Sequence, residues 1–252
     1  MTLHQGYKDY FSGESDSYAR YRPGYPPALF DYLASLTEDH ALAWDVGTGN
    51  GQAAVGMAAH FRLVIATDAS ETQLAAAVPH PRVSYCRALA HQGGLSDRSA
   101  SVVTVAQALH WFDREAFFGE VDRVLPPGGI LAVWGYGDLT MEPALEEIVV
   151  RLSKETVGPW WTEDRRIVDE GYSSVQLPFQ ELASPPFALS ASWTLPELVG
   201  FLATWSAVRR YRAEQRLDPI PQVAGELAAR WGAPDRRYEI RWPLFLRVSR
   251  KP

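Results

Sequence analysis

Short apolar runs alternate with helical spacings along the first half of the chain. The runs over 42–46, 63–67, 83–86, 101–106 and 130–134 read as strands, and Val102, Val103 and Val105 are typical of a parallel strand buried on both faces. Between them, apolar positions recur three and four residues apart. That spacing predicts helices over 27–36, with Leu29, Leu33 and Leu36 on one side, over 52–61, over 70–77, and over a segment ending at 125. Local signals agree. Ser70 is a good N-cap, with Gln73 placed for a capping box, and Pro126-Pro127-Gly128-Gly129 turns the chain into the fifth strand. Strand and helix alternate through short loops, so the fold class is α/β, a doubly wound and mostly parallel sheet with right-handed crossovers. In such sheets a ligand binds beyond the carboxyl ends of the strands, where Asp45, Asp68, Gln107 and Tyr136 all fall.

The pattern loosens after residue 138. Helices are expected over 142–156, 163–170, 195–214 and 221–231, and extended segments over 174–179, 187–193 and 238–248. In 195–214 the apolar side is Leu198, Phe201, Leu202, Trp205 and Val208. Ahead of the first helix lies an arm rich in tyrosine, Tyr18, Tyr21 and Tyr25 among them, closed by Pro23, Pro26 and Pro27. It reads either as a lid over a ligand or as a packing arm. With no repeat and no low-complexity linker, one domain is expected over 1–252. Its parts are the arm 1–27, a ligand-binding core 28–138, and a helical cap with the final strands, 139–252.

Composition narrows the partners. Net charge is −6 and no Lys/Arg run stands out, so no nucleic-acid partner is expected. Cys86 is the one cysteine, which excludes an internal disulfide and a cysteine-rich zinc site, and no metal site is expected. Residues 1–11 lack the apolar core of a secretory signal, and no apolar run approaches the ~20 residues needed to span a bilayer. A cytoplasmic setting without a membrane partner is the expectation; the oligomeric state is left open.

The most specific stretch is Leu42-Ala43-Trp44-Asp45-Val46-Gly47-Thr48-Gly49-Asn50-Gly51-Gln52: a strand, an acid, and three glycines spaced G-x-G-x-G before a helix. Glycine permits the sharp turn and lets a ligand lie against the main chain, and the N–H groups opening the helix face it. Two cofactor classes compete. A nicotinamide or flavin fingerprint is G-x-G-x-x-G, but Gln52 stands where its third glycine belongs. S-adenosylmethionine has no phosphate and needs an acid at the end of the second strand for its ribose diol. Asp68 stands there, and a carboxylate is the natural acceptor for two hydroxyls.

Together with Thr67-Asp68-Ala69-Ser70, Ala106-Gln107-Ala108-Leu109-His110-Trp111-Phe112-Asp113 and Arg123-Val124-Leu125-Pro126-Pro127-Gly128-Gly129, that loop resembles class I S-adenosylmethionine-dependent methyltransferases. The likeness is greatest to the small-molecule group that includes trans-aconitate methyltransferase-like proteins. It extends to Tyr21-Arg22-Pro23-Gly24-Tyr25-Pro26, Gly158-Pro159-Trp160-Trp161 and Trp205-Ser206-Ala207-Val208. The resemblance implies a Rossmann-like, seven-stranded, mostly parallel sheet with an antiparallel last strand, its final hairpin drawn from 174–179 and 238–248, plus a helical cap. It implies S-adenosylmethionine as cofactor, leaving as S-adenosylhomocysteine, and a small-molecule acceptor. Gly47, Gly49 and Gly51 would cradle the methionine part, with Asp45 and Thr48 in the same loop. Asp68 would hold the ribose, with Ala69 and Ala90 beside the adenine; the group usually has Ala-Glu where this chain has Ala90-His91. Gln107 would lie near the sulfonium, and Tyr18 and Arg22 on the lid.

Methyl transfer is an in-line displacement with a neutral leaving group, so alignment and desolvation dominate, and a base matters only for a protonated acceptor. His110 is the candidate catalytic base, since imidazole titrates near neutrality; the alternative is a structural histidine that fixes the loop after the fourth strand while Trp111 packs beneath. Trp111, Tyr136, Trp160, Trp161 and Trp205 are expected to line the acceptor pocket, with Tyr172 and Tyr211 as further aromatic candidates, although core packing is an alternative for each. Arg165, Arg209 and Arg210 read either as contacts for an acidic acceptor or as solvated surface. A non-catalytic S-adenosylmethionine-binding protein and a nicotinamide-dependent oxidoreductase are the other functional classes.

Overall fold

The computed structural model describes residues 24–252. Tyr18 and Arg22, with most of the arm, lie outside them. The five predicted parallel strands form as β1 (Leu42–Val46), β2 (Leu63–Asp68), β3 (Val83–Arg87), β4 (Val102–Ala106) and β5 (Ile130–Tyr136). Helices α1 (Pro27–Ser35), α2 (Gln52–Met57), α3 (Glu71–Ala75) and α4 (Arg114–Val124) lie between or before them. Beyond β5 come α5 (Pro143–Arg151, prolonged by a wider π turn over Leu152–Thr156), α6 (Glu163–Asp169), β6 (Gln180–Leu182) and β7 (Phe187–Trp193). They are followed by α7 (Leu195–Ala203), α8 (Ser206–Gln215), α9 (Ile220–Trp231) and β8 (Tyr238–Arg250).

The strands stand in the order β3-β2-β1-β4-β5-β8-β6, with β7 also on β8. Strands β1 to β5 are parallel, and β8 runs antiparallel to β5, from Ile130 opposite Arg250 to Tyr136 opposite Leu244. On its other edge β8 takes β6 at 248–250 and β7 at 238–244. The resulting sheet has eight strands, because the partner of β8 is two short strands separated by Ala183-Ser184-Pro185-Pro186, where the two prolines cannot donate to a ladder. Strand order reverses between β1 and β4, and there the loops leave the sheet in opposite directions and open a crevice.

Burial explains the strands. Val102, Val103 and Val105 of β4 and Ile130 to Trp134 of β5 are wholly buried. A fully buried Leu, Val or Phe contributes about 1.5–3 kcal/mol relative to exposure. One face of the sheet packs Leu29, Met57, Phe61 and Trp134, and that cluster continues into the cap through Leu145, Phe201, Leu227 and Trp242. The opposite face packs Trp44, Val103, Phe117 and Leu131 with Val168 and Tyr172.

Three expectations need correction. The segment 174–179 is not a strand. It leaves a turn at Gly171-Tyr172, Pro178 has no N–H to donate, and Val175 and Leu177 are buried as irregular chain. Pairing begins only at Gln180. Helix 195–214 is two helices: Trp205 takes extended dihedrals (φ −62°, ψ 133°), and the Thr204 hydroxyl donates to the Phe201 carbonyl at 2.6 Å. Helix 52–61 ends at Met57 and finishes in tighter turns, His60 N–H reaching the Met57 carbonyl. No helix among the described residues is long and apolar enough to cross a membrane.

Candidate functional site

The glycine loop is held from behind by Asp45. This carboxylate has no solvent exposure and accepts the Thr48 hydroxyl at 2.6 Å and the Thr104 hydroxyl at 2.7 Å. It therefore shapes the loop and does not face the crevice, which departs from its expected place among the ligand contacts. Burial pushes its pKa up to about 6; the charge of Asp68 adds to the rise, and the two hydroxyls oppose it. Below its ordinary value near 3.8 the group is protonated in folded and unfolded chains alike. Between about 4 and 6 the folded chain binds more protons, so stability falls as pH rises through that window. The difference amounts to about 3 kcal/mol above pH 6. Asp45→Asn should remove this slope: relative to the parent, the variant gains up to about 3 kcal/mol between pH 4 and pH 7 in denaturant melts. Parallel stability profiles would refute the assignment.

The three glycines serve different neighbours. A Cβ at Gly49 (φ +57°) would meet only the Gln73 side chain, at 3.7 Å, so its face is open to a ligand. A Cβ at Gly51 (φ +88°) would fall 2.1 Å from the Tyr85 hydroxyl, and Gly51 does not line the crevice. Gly47 packs on Ala108 and Phe112.

The crevice is a cavity of about 530 Å³, within the range of small-molecule sites. Of the residues expected from sequence, Gly47, Thr48, Gly49, Asp68, Ala69, Ala90 and Gln107 line it, as do His110, Trp111 and Tyr136. Tyr25, Gln73 and His91 line it as well. Tyr25, from the aromatic arm, stands edge-on to Trp134 with ring centroids 5.6 Å apart. Asp68, ending β2, accepts the Gly49 N–H and the Ser70 N–H, each at 2.8 Å. These bonds fix the orientation of the carboxylate at the rim of the crevice. Ser70 then caps α3, accepting the Gln73 N–H at 3.3 Å.

Gln107 takes left-handed dihedrals (φ +55°), and its side-chain amide copies a strand residue. Nε2 donates to the Tyr136 carbonyl at 3.0 Å, and Oε1 accepts the Tyr136 N–H at 2.9 Å. Gly135 makes room, since a Cβ there would sit 2.4 Å from Oε1. The Gln107 amide is thus committed to the main chain, a sharper constraint than the expected place beside a sulfonium. The bend it fixes throws Ala108 to Phe112 across the glycine loop.

His110 departs most from expectation. Its Nδ1 lies 2.9 Å from the Tyr172 hydroxyl, and burial, with Arg165 second, pushes its pKa down to about 3. An imidazole so reluctant to take a proton is a poor general base at neutral pH. Tyr172 stands behind it, fully buried, and lines neither cavity.

A second cavity of about 100 Å³ shares Gln107, His110, Trp111 and Tyr136 with the first and runs under the cap. Trp161 and Trp205 line it with ring centroids 5.6 Å apart. Arg165 lies over the Trp161 ring at 4.5 Å, and Arg209 lines the same space. The acid there, Asp138, is engaged by Lys154 at 2.8 Å and Arg165 at 3.4 Å. Trp160 lies outside both cavities: its ring packs on Tyr211 at 4.7 Å and its Nε1 donates to Glu214 at 2.9 Å. Thr104 and Tyr85 carry no motif, so their support of the site was invisible in the sequence; Tyr172, expected as a pocket wall, instead stands behind His110.

A family profile described as a methyltransferase domain matches residues 44–133, the span from β1 to β5. A Dictyostelium discoideum protein provisionally named a methyltransferase is 28% identical, over 97% of this chain and 96% of its own length. Methyltransferase cfoB of Aspergillus candidus is 31% identical, over 68% of this chain and 60% of its own. The structure of a type II methyltransferase, provisionally so named, from Anaeromyxobacter dehalogenans superposes with a TM-score of 0.86 at 38% identity. That match covers 91% of this chain and 97% of the other.

Proposed function

Because the chain belongs to the class I S-adenosylmethionine-dependent methyltransferases, we propose that it methylates a small acceptor carrying an anionic group, held in the second cavity. The observation that carries this reading is the junction of the two cavities at Gln107, His110, Trp111 and Tyr136. One chamber has the lining of a donor site and the other that of an acceptor site, and they meet where transfer would occur. When bound, S-adenosylmethionine supplies a methyl group activated on a positively charged sulfur.

The residues present fit that group. Gly49 offers open main chain, Asp68 offers a fixed carboxylate for a diol, and Ala69 and Ala90 offer small walls for a flat base. A pyrophosphate is served less well, because α2 has six residues and so a weak dipole. In the second cavity, Arg165 and Arg209 bring positive charge and the two tryptophans bring flat apolar walls. Charge-assisted bonds from guanidinium groups suit a carboxylate or a comparable anion. Such an acceptor presents a nucleophilic oxygen that needs no base, which accords with His110. The core 28–138 thus holds the donor, and the cap 139–252 frames the acceptor.

Calorimetry with S-adenosylmethionine and with NADH tests the donor. Binding of the first without the second is expected, and the reverse would overturn the reading. Methyl-labelled cofactor, incubated with fractionated metabolites, tests the acceptor. Label should enter the anionic fraction, and Arg209→Gln should lower kcat/KM about 10-fold at unchanged cofactor affinity. Transfer confined to cationic amines would remove the anionic acceptor.

A further inference from the structure

Tyr172 combines two features that rarely coincide: it is wholly buried, and it holds left-handed dihedrals (φ +58°) without being glycine. The conformation is imposed from several sides. Arg247 of β8 donates from Nη1 to the Tyr172 carbonyl and, at 2.5 Å, to the Val175 carbonyl. Phe245 stands edge-on to the phenol ring, centroids 5.1 Å apart. The result of this fixation is the position of one hydroxyl group, 2.9 Å from His110 Nδ1.

The direction of that hydrogen bond follows from burial. The phenol is wholly buried, and His110 Nδ1 is the partner its hydroxyl meets among the described residues. Were Nδ1 to carry the hydrogen, the buried O–H would be left without an acceptor, which is costly, so the phenolic hydrogen points at Nδ1. Nδ1 is then an acceptor, and a neutral ring carries its hydrogen on Nε2. The ring lines both cavities, so Nε2–H is the polar edge it offers at their junction. The charged groups that line the two cavities with it are Arg165 and Asp164 from α6, Arg209 from α8, Asp68 at the end of β2, Asp113 and Arg114 at the start of α4, and Asp138 after β5, which is paired with Lys154 and Arg165. Arg165 opposes a second proton on the ring.

We propose that Tyr172 is a positioning residue that fixes His110 as the Nε2–H tautomer, making it a neutral hydrogen-bond donor to an acceptor oxygen where the cavities meet. The inference rests on the methyltransferase reading for the presence of that acceptor, but the tautomer can be measured without one. No proton is transferred: His110 orients the oxygen, and Tyr172 orients His110. A histidine free to swap tautomers would present a lone pair to the same oxygen part of the time and repel it.

Long-range proton–nitrogen NMR of the uniformly 15N-labelled full chain, with His110→Gln to assign the ring, reads the tautomer directly. The parent protein should show one Nε2–H form that stays neutral down to about pH 5. Tyr172→Phe keeps the ring and its Phe245 contact and should turn the signals into a tautomer average. In the labelled-methyl assay it should lower kcat about 10-fold with cofactor affinity unchanged. His110→Gln, which supplies a neutral N–H, should retain more activity than His110→Ala. An Nδ1–H form in the parent overturns the proposal even if Tyr172→Phe fails to fold; a pure Nε2–H signature surviving in folded Tyr172→Phe overturns it too. Absence of S-adenosylmethionine binding would instead overturn the methyltransferase reading and leave the tautomer result standing.

Discussion

Replacing Asp68 with alanine should weaken S-adenosylmethionine binding by at least about 100-fold, since two hydrogen bonds to a carboxylate are lost at about 1.5–3 kcal/mol each. The loss has two sources. The ribose diol loses its acceptor, and the Gly49 and Ser70 N–H groups, now held at 2.8 Å, lose theirs. Asp68→Asn separates them. It keeps one acceptor oxygen for the loop but cannot accept from both hydroxyls, so an intermediate loss of about 10-fold is expected. Calorimetric titration of both variants reads the difference. Equal, parent-like affinities would remove Asp68 from the donor site.

The second large effect is expected at Gly51, and on stability. An alanine there must adopt a left-handed conformation, which costs about 1–2 kcal/mol, and must displace the Tyr85 ring, whose atoms lie 2.1 to 2.8 Å from the new carbon. Overpacking of that kind adds about 1–3 kcal/mol. The sum, about 3 kcal/mol, should lower Tm by roughly 6–12 °C for a chain of this size. Adding Tyr85→Ala should recover the steric part and leave the backbone strain. Gly49→Ala shares the backbone strain (φ +57°) but not the clash: its carbon meets only Gln73 at 3.7 Å, so it should cost the fold only about 1–2 kcal/mol while crowding the cofactor. If the two alanine variants melt alike, the division of labour among the glycines is wrong.

Those glycines illustrate what the sequence could convey. The G-x-G-x-G spacing announces a turn and a ligand, but it is blind to Tyr85, 34 residues beyond Gly51 (85 − 51), and so cannot tell an open glycine from a packed one. Strands β1 and β4 were legible because burial on both faces leaves a nearly continuous apolar run, interrupted only by Asp45 and Thr104. The break at Thr204-Trp205 was not, because the apolar spacing from Leu198 through Trp205 to Val208 passes through it unchanged. His110 was found as a site residue through its place after β4. Its chemistry was not legible, because its basicity is set by burial first and by Arg165 second, and neither the burial of one side chain nor a contact across 55 residues (165 − 110) is written in the local pattern. Trp160 and Trp161 are neighbours in sequence, yet a single tight turn sends Trp161 to the second cavity and Trp160 to α8.

Strand β8 carries a consequence for how the chain is made. It lies between β5 and β6, and its Tyr136-to-Ile130 partner strand is completed long before it in the chain. During synthesis the edge of β5 therefore stays open while the whole cap emerges, and an open edge strand is a template for pairing with a neighbouring chain. Closure must wait for contacts of long sequence separation, which slows folding. Nascent chains that stall before residue 238 should consequently be the species most dependent on chaperones.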